Sequence, residues 1–96
     1  MRESVIEKYL VQQVKRVRGE VRKVQWIGRR GAPDRIVMLP SGLEGGGVTI
    51  FVELKAPGKK PEAHQLREHN RMRDMGQEVA VIDSMEAVDE LLRGWL

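Results

Sequence analysis

The run Thr49-Ile50-Phe51-Val52-Glu53-Leu54-Lys55 decides how the chain is read. Its β-branched and aromatic residues predict a strand from Val48 to Lys55. Side chains of a strand alternate faces, so Ile50, Val52 and Leu54 line one side while Phe51, Glu53 and Lys55 line the other. Glu53 and Lys55 thus point the same way, with Cα atoms roughly 7 Å apart. A strand with one solvated face and an ion pair along it would look the same. The run alone does not choose between structure and chemistry.

Working outward, Asp34 to Leu39 predicts a second strand, closed by Pro40-Ser41-Gly42, and a flexible loop through Glu44-Gly45-Gly46-Gly47 joins the two as a hairpin. Upstream, Gly28-Arg29-Arg30-Gly31-Ala32-Pro33 breaks a β-rich stretch, Val21 to Ile27. The chain opens with a helix whose stripe is Ile6, Leu10, Val14 and Val17, widened by Val11, capped by Ser4 and ended by Gly19. Downstream of the opening run, Ala56-Pro57-Gly58-Lys59-Lys60-Pro61 reads as a rigid basic loop. A helix then runs from about Glu62 to Met75, with Gly76 at its C-terminal cap position. Glu78 to Ile82 is a short strand, and Asp83 or Ser84 caps a last helix through Ala87, Val88, Leu91 and Leu92. The order α-β-β-β-α-β-α, a hairpin followed by a β-α-β crossover, predicts an α/β fold with a mixed four-stranded sheet flanked by helices.

Ninety-six residues, 41% hydrophobic and 32% charged, suit one soluble domain over residues 1–96 and are too apolar for disorder. With no cysteine, disulfides, thiolate zinc sites and cysteine nucleophiles are excluded. No apolar run approaches the ~20 residues of a membrane span, so no membrane partner is expected. The charged, periodic N-terminus argues against a secretory leader and for a cytoplasmic protein. Charge is divided unevenly. Residues 1–60 carry 13 basic and 6 acidic side chains; residues 61–96 carry 4 and 8. One end looks built to meet an anion.

The charges that matter sit where they are least expected. Asp34 stands at the mouth of the strand expected to pair with the opening run, its backbone pinned by Pro33. Two carboxylates on neighbouring strands repel unless a cation or proton separates them. Mg²⁺ takes oxygen ligands, often one or two carboxylates plus phosphate oxygens. Asp34 and Glu53 beside Lys55 therefore make a candidate Mg²⁺ site, although an Asp after proline is also a common turn former. Glu7 falls inside the apolar stripe of the first helix and needs a partner. Either it joins a metal, or Ser4-Val5-Ile6-Glu7 is a capping box. Gln65 shares a helical face with His69 and Met72. His64 and His69, five apart, do not align on one face and are not read as metal ligands. Arg29, Arg30, Lys59 and Lys60 bracket the carboxylates in sequence and are candidate phosphate contacts.

Gly31-Ala32-Pro33-Asp34 followed by Glu53-Leu54-Lys55 resembles the signature of the PD-(D/E)xK nucleases, whose restriction-endonuclease-like core has the element order derived above. The Pro-Gly loop after Lys55, Gln65, Met72 with Gly76, Val79-Ala80-Val81 and Ser84 narrow the resemblance to the VRR-NUC family, across essentially the whole chain. One departure is Pro61-Glu62, where a Leu-Ser-like pair would be expected before the helix. The resemblance implies that Asp34, Glu53 and the Leu54 carbonyl bind Mg²⁺ or Mn²⁺, joined by Glu7 directly or through water. It implies that Lys55 orients the attacking water or stabilises the phosphate, with Gln65 in support. It further implies a phage-type DNA endonuclease acting as a homodimer on branched DNA, a Holliday-junction resolvase, in an infected or prophage-bearing bacterial cell. A general or restriction-like nuclease of the same fold is one rival, and a non-catalytic DNA-binding module is another. An inactivated copy would be expected to lack Asp34, Glu53 or Lys55, and all three are present.

Overall fold

The structure, a computed structural model, describes residues 1–41 and 45–96. Gly42 of the expected turn and Glu44 of the expected loop lie outside them. Seven elements follow in order: α1 (Glu3–Arg16), β1 (Glu20–Lys23), β2 (Arg35–Leu39), β3 (Val48–Leu54), α2 (Ala63–Asp74), β4 (Glu78–Ile82) and α3 (Met85–Trp95). The sheet order is β1-β2-β3-β4. The first two pairings are antiparallel and β3 pairs β4 in parallel, which makes the sheet mixed as expected.

The two faces of the sheet differ in kind. Val37, Leu39, Ile50, Val52, Leu54 and Ile82 bury one face against Ile6, Leu10 and Val14 of α1 and Val88 and Leu92 of α3. Fully burying each such aliphatic side chain contributes about 1.5–3 kcal/mol relative to exposure, so this layer holds the fold together. The other face lies under α2, whose two buried residues are Glu68 and His69. Phe51, Glu53 and Lys55 project to that side. The apolar layer stabilises, and the polar layer is left for chemistry.

Helix ends set the approach of the chain to the sheet. After α1, Arg18 takes a left-handed φ of 66°, Arg18 N–H donates to Lys15 O at 3.0 Å, and Gly19 N–H donates to Val14 O at 2.9 Å. This is a Schellman motif with arginine in the left-handed position. Gly19 is needed for a different reason: a Cβ there would lie 2.6 Å from Met38 O on β2. At the end of α2, Gly76 (φ 83°) fills the left-handed position itself. At α3 the Ser84 hydroxyl, rather than Asp83, accepts from Ala87 N–H at 3.0 Å.

Three expectations need correction. Ser4 lies inside α1, whose N-cap is Arg2, so the Ser4–Glu7 capping box does not form. β1 ends at Lys23 instead of running to Ile27. Val24 N–H still reaches Asp34 O at 3.0 Å, after which the chain turns away into the loop through Gly28 and Gly31, both at left-handed φ. Ile27 is then left fully exposed and the Trp26 indole N–H turns to Pro33 O at 2.7 Å. β2 begins at Arg35, with Asp34 just before it.

Candidate active site

β2 and β3 bring the two carboxylates together. Arg35 pairs with Val52, so the same register carried one residue further sets Asp34 opposite Glu53. Directly opposed residues of an antiparallel pair project to the same face. Glu53 is buried beneath α2. Burial and the neighbouring Asp34 carboxylate together raise its pKa to about 7, against the pull of Lys55 and Arg35. Asp34 Oδ1 is buried without a hydrogen-bond partner. The two carboxylates repel each other and one oxygen of Asp34 stays unpartnered, a condition that a cation relieves.

Lys55 is held from the far side. Its Nζ donates to Gln65 Oε1 at 2.8 Å, and the same oxygen accepts from Glu62 N–H at 2.8 Å. Gln65 thus closes the N-terminus of α2 and fixes Lys55 with one carbonyl. This is how Pro61-Glu62 substitutes for the expected pair before the helix: Glu62 is the N-cap and Gln65 its capping-box partner. Leu54 buries its side chain in the core, leaving its main chain between Glu53 and Lys55.

Arg35, which the sequence analysis did not single out, organises the opposite side. It is buried to 5% exposure and its guanidinium clamps the Glu7 carboxylate through Nε, at 2.6 Å, and Nη2. Its Nη1 lies 3.1 Å from Asp34 Oδ2 and also donates to Asp34 O at 3.1 Å. Glu7 therefore meets Arg35 in place of the Ser4 N–H, because a charge-assisted fork outcompetes a neutral cap. The chain Glu7–Arg35–Asp34 links α1 to the mouth of β2. The clue was in the alternation, since Arg35 is in phase with Val37 and Leu39 on the core face.

His69 is the second residue passed over. It is fully buried, its Nε2 lies 3.6 Å from Glu53 Oε1, and neither ring nitrogen has a hydrogen-bond partner. Burial, with Arg73 and Lys55 nearby, lowers its pKa. The loop cations are placed differently. Arg30, Lys59 and Lys60 are exposed, whereas Arg29 is 3.6 Å from Glu68, which also accepts from Arg71. An apolar groove lined by Trp26, Phe51, Met72 and Met75 opens on this side, and neither Asp34 nor Glu53 lines it.

Among the described residues no three His, Asp or Glu side chains converge as a complete metal cage. The donor set fits a different kind of site. Asp34 and Glu53, all oxygen, with one buried oxygen unpartnered, suit a hard divalent cation that completes its shell with water and substrate oxygens.

No family model matches the chain. It is 49% identical over 86 residues to a protein called "Putative nuclease p44" from Acyrthosiphon pisum secondary endosymbiont phage 1, a match covering 90% of this chain and 87% of that relative. A solved structure described as a VRR_NUC domain superposes with a TM-score of 0.83 at 41% identity, over 98% of this chain and 97% of the other. The chain belongs to the VRR-NUC family. For this VRR-NUC chain the likeness extends over the whole fold, well beyond β2 and β3, which set Asp34 and Glu53 together.

Proposed function

We propose that this VRR-NUC chain is a structure-selective DNA endonuclease that depends on Mg²⁺ or Mn²⁺, works as a homodimer and resolves four-way junctions in the cytoplasm of a phage-infected or prophage-bearing bacterium. The observation that carries the reading is the facing pair Asp34 and Glu53 beside an immobilised Lys55. Asp34 and Glu53, with the Leu54 carbonyl, would hold the cation, which supplies charge neutralisation at the scissile phosphate. Glu7 reaches this group through Arg35 and is proposed to act on it through that link or through water. Lys55, held by Gln65, places an ammonium where negative charge grows on the phosphate during displacement. Arg30, Lys59 and Lys60 would carry phosphate contacts away from the reacting centre, and Arg29 would join them with part of its charge taken by Glu68.

The homodimer is proposed from size and task. A domain of 96 residues has little surface with which to recognise a branch, and a junction needs two opposed nicks, which a two-fold dimer supplies. The test is cleavage of a labelled four-way junction and a linear duplex of equal length, with and without Mg²⁺. Paired, metal-dependent nicks near the branch are expected. Equal cutting of the duplex would assign a general nuclease, and binding without cutting in any divalent metal would assign a DNA-binding module.

A further inference from the structure

We infer that His69 is a positioning residue for Glu53, its Nε2–H drawing in from 3.6 Å to donate to Glu53 Oε1 when the other carboxylate oxygen takes the metal cation. The inference rests on the metal-dependent reading above. His69 is fully buried, its Nε2 is 3.6 Å from Glu53 Oε1, and neither ring nitrogen has a hydrogen-bond partner. An imidazole in such a place leaves polar atoms unsatisfied, which is costly unless it serves a neighbour. The neighbour it faces is the buried carboxylate.

The packing of α2 explains why His69 meets Glu53. Gln65 and His69 are four apart and share one helical face, while Glu53 and Lys55 are two apart and share one strand face. Gln65 meets Lys55 at 2.8 Å, so one turn further along the helix His69 meets Glu53. α2 thus addresses both members of the Glu53–Lys55 pair with one polar side chain each. Gln65 is an acceptor for the cation, and His69 is a donor for the carboxylate. A neutral imidazole carries a proton on one nitrogen only, so a single donor can face the carboxylate. Partners of this kind typically change metal affinity or activity by 10- to 100-fold when removed.

The test is calorimetric Mn²⁺ titration of the full chain and of three variants, with thermal melting in the absence of metal as a fold control. His69→Phe fills the space without a donor. His69→Gln restores an N–H near the Nε2 position, and His69→Asn places one near Nδ1. The expected result is Mn²⁺ affinity at least tenfold weaker in His69→Phe and His69→Asn, returning to within about threefold of wild type in His69→Gln. Equal affinity in wild type and a folded His69→Phe, or equal loss in all three variants, would overturn the inference in favour of packing alone. Should the variants fail to fold, ¹⁵N NMR of the wild-type imidazole decides: a protonated Nε2 is required, and an Nδ1–H tautomer refutes it. A wild-type chain that binds no Mn²⁺ would instead remove the metal-dependent reading itself, whatever the variants do.

Discussion

At the scale of single residues, the site is built from charges kept from their usual partners. Glu53 has its pKa raised to about 7, so the folded protein holds a proton that the unfolded chain releases near the ordinary glutamate value of 4.5. Its contribution to stability is therefore full below about pH 4.5 and lost as pH rises through about 7. A cation must displace the same proton. Mn²⁺ affinity should fall about tenfold between pH 8 and pH 6, with close to one proton released per ion at pH 6, measured by calorimetry in buffers of different ionisation enthalpy. An affinity unchanged over that range would show that Glu53 is already ionised. Arg35 makes a second residue-scale claim. Arg35→Met leaves the half-buried Glu7 without its partner and should cost about 1.5–3 kcal/mol in denaturant unfolding, as for lost hydrogen bonds to a charged group, and adding Glu7→Gln should restore part of it. A double variant no more stable than Arg35→Met would show that the clamp is not the source of the loss. Asp34, Glu53 and Lys55 stood out in the sequence as charges brought together by two neighbouring strands, and Gln65 through the family resemblance. Arg35 and His69 were hidden by context: a charged residue at a strand's first position reads as a boundary, and His69 was paired in sequence with His64 when its partner lay on another element.

Elements were legible where periodicity was strong and obscured where local chemistry overrode propensity. α1, β3 and α3 follow their apolar or alternating patterns closely, whereas α2 buries Glu68 and His69. β1 departs from its pattern too: Val24 to Ile27 has β-forming composition, but Val24 makes the last bond to β2 and the chain then turns away through Gly28 and Gly31 at left-handed φ. The start of α1 misled for a related reason, since the Glu7 carboxylate had a stronger partner than the backbone. The two helix-ending glycines separate two mechanisms that sequence alone merges. Gly76 sits in open space at φ 83°, so Gly76→Ala should cost about 1–2 kcal/mol from backbone conformation alone. Gly19→Ala meets Met38 O and the Val14 side chain within 2.7 Å and must push α1 off β2, at about 1–3 kcal/mol of overpacking. Urea midpoints should fall in both, and α1–β2 amide exchange should rise only for Gly19→Ala. Faster exchange at that junction in Gly76→Ala would contradict this separation.

At the scale of the whole molecule, the sheet divides labour between its faces: an aliphatic layer under α1 and α3, and a polar layer under α2 that holds the candidate site. The basic loops lie outside both layers, so they should govern affinity and leave chemistry unchanged. Lys59→Ala with Lys60→Ala should flatten the salt dependence of junction binding by a slope of about 1–2 while the cleavage rate at saturating protein stays the same. An unaltered slope would assign these lysines to solvation of the loop. Sedimentation should give twice the 11.0 kDa chain mass, and a persistent monomer on junction DNA would count against paired nicking. The central claim is that Asp34 and Glu53 hold a cation while Lys55 acts on the phosphate. Its most direct test is Mn²⁺ titration calorimetry on Asp34→Asn and Lys55→Met, both of which should be inactive on junction DNA. The account predicts sharply weakened binding in Asp34→Asn, and binding as tight as wild type or tighter in Lys55→Met, where a nearby positive charge has gone. Unchanged Mn²⁺ binding in Asp34→Asn, or its loss in Lys55→Met, would contradict it.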